Sequence, residues 1–188
     1  MLSKEGIVKV VDFGIARVVK TSKTQTGMLI GAFAYMALEQ YHGEHADERS
    51  DLWSFGVLLY ELICYQRPFR GDAPAILMHG ICDQDPALLC TVSPESPAKL
   101  EAVLCKVLQK SPMDRYQRME DLLLELGPIC RGLQSATVAK LVEHGHELVR
   151  QGDYPQARDI LRQALQVEST NTQVRSLLDK VNTELRPS

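Results

Sequence analysis

Residues 51–69, D-L-W-S-F-G-V-L-L-Y-E-L-I-C-Y-Q-R-P-F, decide the fold. Leu52, Trp53, Phe55, Val57, Leu58, Leu59, Tyr60, Leu62 and Ile63 leave almost no polar face on a helix of period 3.6. A helix apolar all round is either buried or membrane-spanning. Asp51, Ser54, Glu61 and Gln66 interrupt the run, which falls short of the ~20 residues a span needs. The stretch is therefore expected to be the buried central helix of a globular domain. Ser50 or Asp51 would cap it, and Arg67-Pro68 would end it, because proline cannot continue the ladder.

A chain of 188 residues can bury one real core and hold a small second domain. Hydrophobic content of 45%, charged content of 24% and a net charge of −3 predict an ordinary soluble, cytoplasmic protein. Lys and Arg are scattered, with no basic stripe interleaved with aromatics, so no nucleic-acid partner is expected. No apolar run reaches membrane length, and the N-terminus lacks the charged-then-apolar order of a signal peptide. Cys64, Cys82, Cys90, Cys105 and Cys130 show no C-x-x-C spacing and are expected to be reduced, buried thiols. His144 and His146 fall on different faces of a helix, which argues against a metal site.

Upstream of the central stretch, residues 7–11 read as a short β-branched strand. It has no obvious partner before it, and a lone strand is unstable in water. Asp12-Phe13-Gly14 follows, an arrangement that can direct a carboxylate into a cleft from a strand end. Residues 20–27, K-T-S-K-T-Q-T-G, read as a solvated loop or as a loop that accepts phosphate. Downstream, residues 74–82 predict a short helix and 83–93 an irregular segment. Ser96-Pro97 opens a helix with Leu100, Val103, Leu104, Val107 and Leu108 at helical spacing. A further helix at about 119–126 is expected to stop at Gly127-Pro128.

Three stretches occur in a telling order: V-K-V-V-D-F-G-I-A-R at 8–17, G-A-F-A-Y-M-A-L-E-Q at 31–40, and S-D-L-W-S-F-G-V-L-L-Y-E-L at 50–62 with R-P-F at 67–69. Together they resemble the activation segment and central large-lobe helix of protein kinases, bacterial Ser/Thr kinases in particular, over roughly residues 5–130. The resemblance implies that Asp12 of the Asp12-Phe13-Gly14 motif holds Mg²⁺ on the phosphates of ATP. A hard ion of that kind prefers carboxylate oxygen. It also implies that Thr24 and Thr26 accept phosphate, with Thr21 and Ser22 as weaker candidates. Glu39 would pair with a buried Arg115 in S-P-M-D-R-Y-Q, and Asp51 would brace a catalytic loop from below. Two positions depart from the family: Leu38 stands where A-P-E has Pro, and Ala32 where Thr contacts the catalytic machinery.

The same resemblance marks what this stretch does not contain: a Gly-rich phosphate loop, a strand Lys paired to a helix Glu, and an H-R-D catalytic loop. Met1-Leu2 resembles the end of the family's N-I-M-L, so Met1 is expected to be an internal methionine of a longer protein. The expected fold is mainly α: at residues 1–130, the large lobe of a protein-kinase-like fold without its N-lobe and catalytic loop. The chain alone is expected to transfer no phosphoryl group, whereas its parent would use ATP and Mg²⁺ on a protein substrate.

After a linker at residues 131–137, the pattern of Leu141, Gly145, Leu148, Gly152, Tyr154, Ala157, Leu161 and Ala164 resembles a tetratricopeptide repeat. Residues 138–185 are expected to form such a helical hairpin with a further helix, Val174, Leu177, Leu178 and Val181 sharing one face. The alternative is a plain helical extension docked on the lobe. A tail of this kind suits a protein partner or self-association. The rival functional reading is a non-catalytic interaction protein with a degenerate lobe and a peptide-binding repeat.

Overall fold

Asp47, not Ser50 or Asp51, opens the central helix: its carboxylate accepts the Arg49 backbone N–H at 2.9 Å. The structure, a computed structural model, describes Val8 and residues 33–185. The expected strand at 7–11 apart from Val8, the Asp12-Phe13-Gly14 motif, the polar segment 20–27 and Ala32 lie outside the described residues. What is described is mainly α. In chain order it comprises α1 (Leu38–Tyr41), α2 (Glu48–Cys64), α3 (Pro74–Asp83), α4 (Leu89–Val92), α5 (Ala98–Val107), a single 3₁₀ turn (Pro112–Asp114), α6 (Met119–Arg150), α7 (Tyr154–Val167) and α8 (Thr172–Glu184).

The helix α2 buries Leu52, Trp53, Gly56, Val57 and Tyr60. At Gly56 a Cβ atom would stand 2.5 Å from Cγ1 of Val107, so α5 approaches the α2 backbone itself. The expectation of burial on every side needs correction. Leu58 is 45% and Leu62 65% exposed; with Asp51 they form one stripe of α2 that the described elements leave uncovered. Apolar sequence sets a preference for burial; it does not say which neighbour supplies the cover.

Helix α2 ends at Cys64, short of Arg67-Pro68, through a left-handed Tyr65 at φ 54° that is 94% exposed. Glycine is the usual residue there, since a Cβ in this region is costly. Tyr65→Gly is therefore expected to stabilise the chain by about 1 kcal/mol, read as a higher urea midpoint. No gain would mean that the tyrosine makes an offsetting contact.

Further expectations are corrected. Residues 83–93 are not wholly irregular, since α4 lies within them. Ser96 does not cap α5: Pro97 takes the N-cap position, and the Ser96 hydroxyl donates to the Ser93 hydroxyl at 3.0 Å. Most consequential, Gly127-Pro128 stops nothing, and residues 131–137 are helix rather than linker. Pro128 cannot donate to the Leu124 carbonyl, but both residues are exposed and water can serve that carbonyl. The thiols are free as expected, yet none is buried; Cys90 and Cys130 are exposed.

Along α6 the surroundings change. Leu122 and Leu126 belong to one hydrophobic core, centred on Trp53. Val138 and Leu148 belong to a second, with Ala157, Leu161, Ala164, Val174 and Val181. Between them residues 130–137 are all exposed. In the second core a Cβ at Gly145 would stand 2.9 Å from Cδ2 of Leu161, so α6 and α7 meet closely there. Asp153 caps α7 by accepting from the Gln156 N–H at 3.1 Å, and Asn171 caps α8 by accepting from the Val174 N–H at 3.0 Å. Among the described residues no helix is long and apolar enough to cross a membrane.

Candidate functional site

Arg115 follows the 3₁₀ turn, and its side chain is 0% exposed. A guanidinium in that position must satisfy five N–H donors, and each has an acceptor. Nη1 donates to Oε1 of Glu39 at 2.9 Å and to the Arg49 carbonyl at 3.1 Å. Nη2 donates to Oε2 of Glu39 at 3.0 Å and to the Lys110 carbonyl at 2.9 Å. Nε donates to the Gln109 carbonyl at 2.7 Å. The guanidinium carbon lies 4.9 Å from the centre of the Trp53 ring, where the negative face of the indole favours a cation.

Glu39 receives a third bond, from the Ser50 hydroxyl to Oε1 at 2.6 Å. Burial pushes its carboxyl pKa up, but the hydrogen bonds from Arg115 and Ser50 outweigh burial and hold it below the ordinary carboxylate value. Glu39, Arg115 and Ser50 are the buried polar side chains of the described residues. Their mutual satisfaction makes their burial tolerable.

This clamp lays residues 33–41 along α2. The Ser54 hydroxyl donates to the Tyr35 carbonyl at 2.8 Å, the Tyr35 hydroxyl donates to Glu61, and the Tyr41 hydroxyl donates to the Phe33 carbonyl. The hydrogen bond to Glu61 raises the Tyr35 pKa, and burial raises that of Tyr41 to about 12. Gln40 reaches back to accept the Ala37 N–H at 3.0 Å and so starts α1 without help from Leu38.

The structure thus brings Glu39 and Arg115 together. Asp51 stands exposed in the first turn of α2, one residue past Ser50. Asp12, Phe13, Gly14, Thr24 and Thr26 lie outside the described residues. The reading of the sequence missed Ser50, taken as a cap when its hydroxyl serves Glu39; its spacing three residues before Trp53 was the available signal. It also missed Lys110, which looks like an ordinary surface lysine of a polar turn. Among the described residues no three His, Cys, Asp or Glu side chains gather as a metal site.

Residues 1–125 match the family model described as the protein kinase domain. The chain is 35% identical over 150 residues to a probable serine/threonine-protein kinase of Corynebacterium glutamicum, covering 76% of this chain and 23% of that protein. It is 40% identical over 129 residues to a probable serine/threonine-protein kinase of Streptomyces coelicolor, covering 67% and 19%. With serine/threonine-protein kinase PknB of Mycobacterium tuberculosis the identity is 37% over 135 residues, covering 70% and 22%. The chain spans about a fifth of the length of these curated relatives.

Proposed function

The chain belongs to the protein kinase family, and on that premise we propose that it is the activation-segment and large-lobe part of a bacterial-type Ser/Thr protein kinase. Its parent would transfer the γ-phosphoryl group of ATP to Ser or Thr hydroxyls of a protein substrate, in the cytoplasm. The observation that carries this reading is the clamp: a buried Glu39–Arg115 pair, bonded through both carboxylate oxygens, fixes residues 33–41 on the central helix. Rigid placement of a substrate-facing segment is what phosphoryl transfer requires, because its catalysis is mostly positioning and electrostatics.

In this reading Asp12, set by Phe13 and Gly14, holds Mg²⁺, and ATP with Mg²⁺ supplies the transferable phosphoryl group and neutralises its charge. Thr24 and Thr26 are the phosphate acceptors of the segment, where added charge would draw nearby arginines. Asp51, exposed at the start of α2, braces the catalytic loop. Residues 138–185 form a tetratricopeptide-like unit for a protein partner or self-association. The pairing of Gly145 with Leu161 and full burial of Ala157 and Ala164 support it.

The test is Mg²⁺-dependent transfer of labelled phosphate from ATP to a protein substrate. The 188-residue chain alone is expected to be inactive. A protein that joins it to a Gly-rich loop, strand Lys and H-R-D segment is expected to be active. In that protein Asp12→Asn should lower the rate about a hundredfold or more, since a metal contributes several kcal/mol of charge stabilisation. Transfer by the short chain, or full activity of Asp12→Asn, would sink the proposal.

A second reading, a non-catalytic interaction protein, is favoured by Ala32 and Leu38. A groove of about 610 Å³, walled by Val138, Val142, His146 and Arg150 of α6 and by Asn171 and Gln173, also favours it. Failure of the joined protein to bind ATP with Mg²⁺ would make it the better account.

A further inference from the structure

Lys110 sits in the turn between α5 and the 3₁₀ turn, and its two ends serve different elements. Its ammonium donates to the Ile81 carbonyl at 2.6 Å and to the Gln84 carbonyl at 2.5 Å. Ile81 lies in the last turn of α3, whose final carbonyls lack partners within the helix, and Gln84 is the residue at its C-cap. A cation there also suits the negative end of the helix. The ammonium lies 4.2 Å from the centre of the Phe69 ring and 5.4 Å from that of Trp53. Meanwhile the Lys110 carbonyl accepts from Nη2 of Arg115 at 2.9 Å.

The two connections close into a stack. Phe69 and Trp53 lie parallel, 2° apart with centroids at 5.7 Å, with Lys110 over Phe69 and Arg115 against Trp53. From α3 to Glu39 the contacts are therefore continuous: helix carbonyls, ammonium, two rings, guanidinium, carboxylate. A lysine that merely capped α3 would need only the first of these.

We propose that Lys110 is a positioning residue for residues 33–41, tying the C-terminal end of α3 to the Glu39–Arg115 clamp. Its bearing on phosphoryl transfer rests on the kinase reading; the mechanical link does not. Engagement of α3 by a protein would then be felt by the segment that the clamp holds.

The experiment is hydrogen–deuterium exchange on the 188-residue chain and its Lys110→Met variant. That substitution keeps the apolar stem and removes the donors. The informative amides are those of residues 40–44, which bond to Ala37, Leu38, Glu39 and Gln40. They are expected to exchange about tenfold faster in the variant, as are those at the end of α3, since a charged hydrogen bond has been lost. Faster exchange confined to α3 would overturn the proposal, because Lys110 would then be only a cap. Where residues 40–44 already exchange too fast in the parent chain, a double-mutant cycle with Glu39→Gln decides. Coupling is expected as an unfolding constant that departs from the product of the single effects by about fivefold. A product matched within about twofold overturns the proposal. Should Lys110→Met fail to fold, Lys110→Gln, which keeps a neutral donor, enters the same comparison. Neither readout depends on activity, so failure here leaves the kinase reading standing.

Discussion

Arg115→Met is expected to destabilise the Trp53-centred core by about 3–5 kcal/mol, the usual result of breaking a buried ion pair. Most of that cost is the carboxylate left behind. Glu39 would stay buried with only the Ser50 hydroxyl as a side-chain donor, while the carbonyls of Gln109, Lys110 and Arg49 would lose their guanidinium donors. Trp53 is the only tryptophan in the chain and lies against Arg115, so its fluorescence reports the transition directly. The double variant Glu39→Met with Arg115→Met should recover part of the loss, because an apolar replacement of the whole pair leaves no buried charge. Equal stability of Arg115→Met and the parent chain would mean that the clamp does not hold the segment.

The same pair sets an acid limit. In the folded chain the Glu39 carboxyl titrates below its ordinary value of 4.5. Its contribution is therefore complete above that value and is lost as pH falls through the folded pKa. The acid transition followed by Trp53 should become shallower in Glu39→Gln, which has no proton to bind. An unchanged pH profile would assign the acid sensitivity to other carboxylates.

How far the sequence could be read depended on whether a residue's signal was local. Glu39 and Arg115 are 76 positions apart, and only the resemblance linked them; no spacing rule pairs residues at that distance. The helix α2 followed from its apolar run, α5 and α8 from apolar residues at helical spacing, and α7 from the resemblance to a repeat. The boundaries failed where a neighbour outbid a local preference. Ser50 was a plausible cap, but Asp47 took that role and left its hydroxyl to Glu39. Gly127-Pro128 looked like a stop, yet α6 runs through it, at an exposed site where water can serve the orphaned carbonyl. Lys110 gave no signal because its acceptors are main-chain carbonyls, which no side-chain pattern reveals.

Leu161→Ala is expected to cost about 2–5 kcal/mol, the range for a fully buried leucine whose site can relax only in part. The loss should fall on one half of the chain. Leu161 is wholly buried against Gly145, in a core that shares no residue with the one around Trp53. The two cores are joined through α6, where residues 130–137 are all exposed. A single exposed helix transmits little of the cooperativity that makes a domain unfold as one. Urea titration of the variant should therefore show an early loss of helical circular dichroism, from residues 138–185. The Trp53 fluorescence midpoint should stay within experimental error of the parent chain. A Trp53 midpoint that falls together with the helical signal would instead mean that α6 couples both cores into one unit. The tail would then be part of the lobe's own stability rather than a module carried by it.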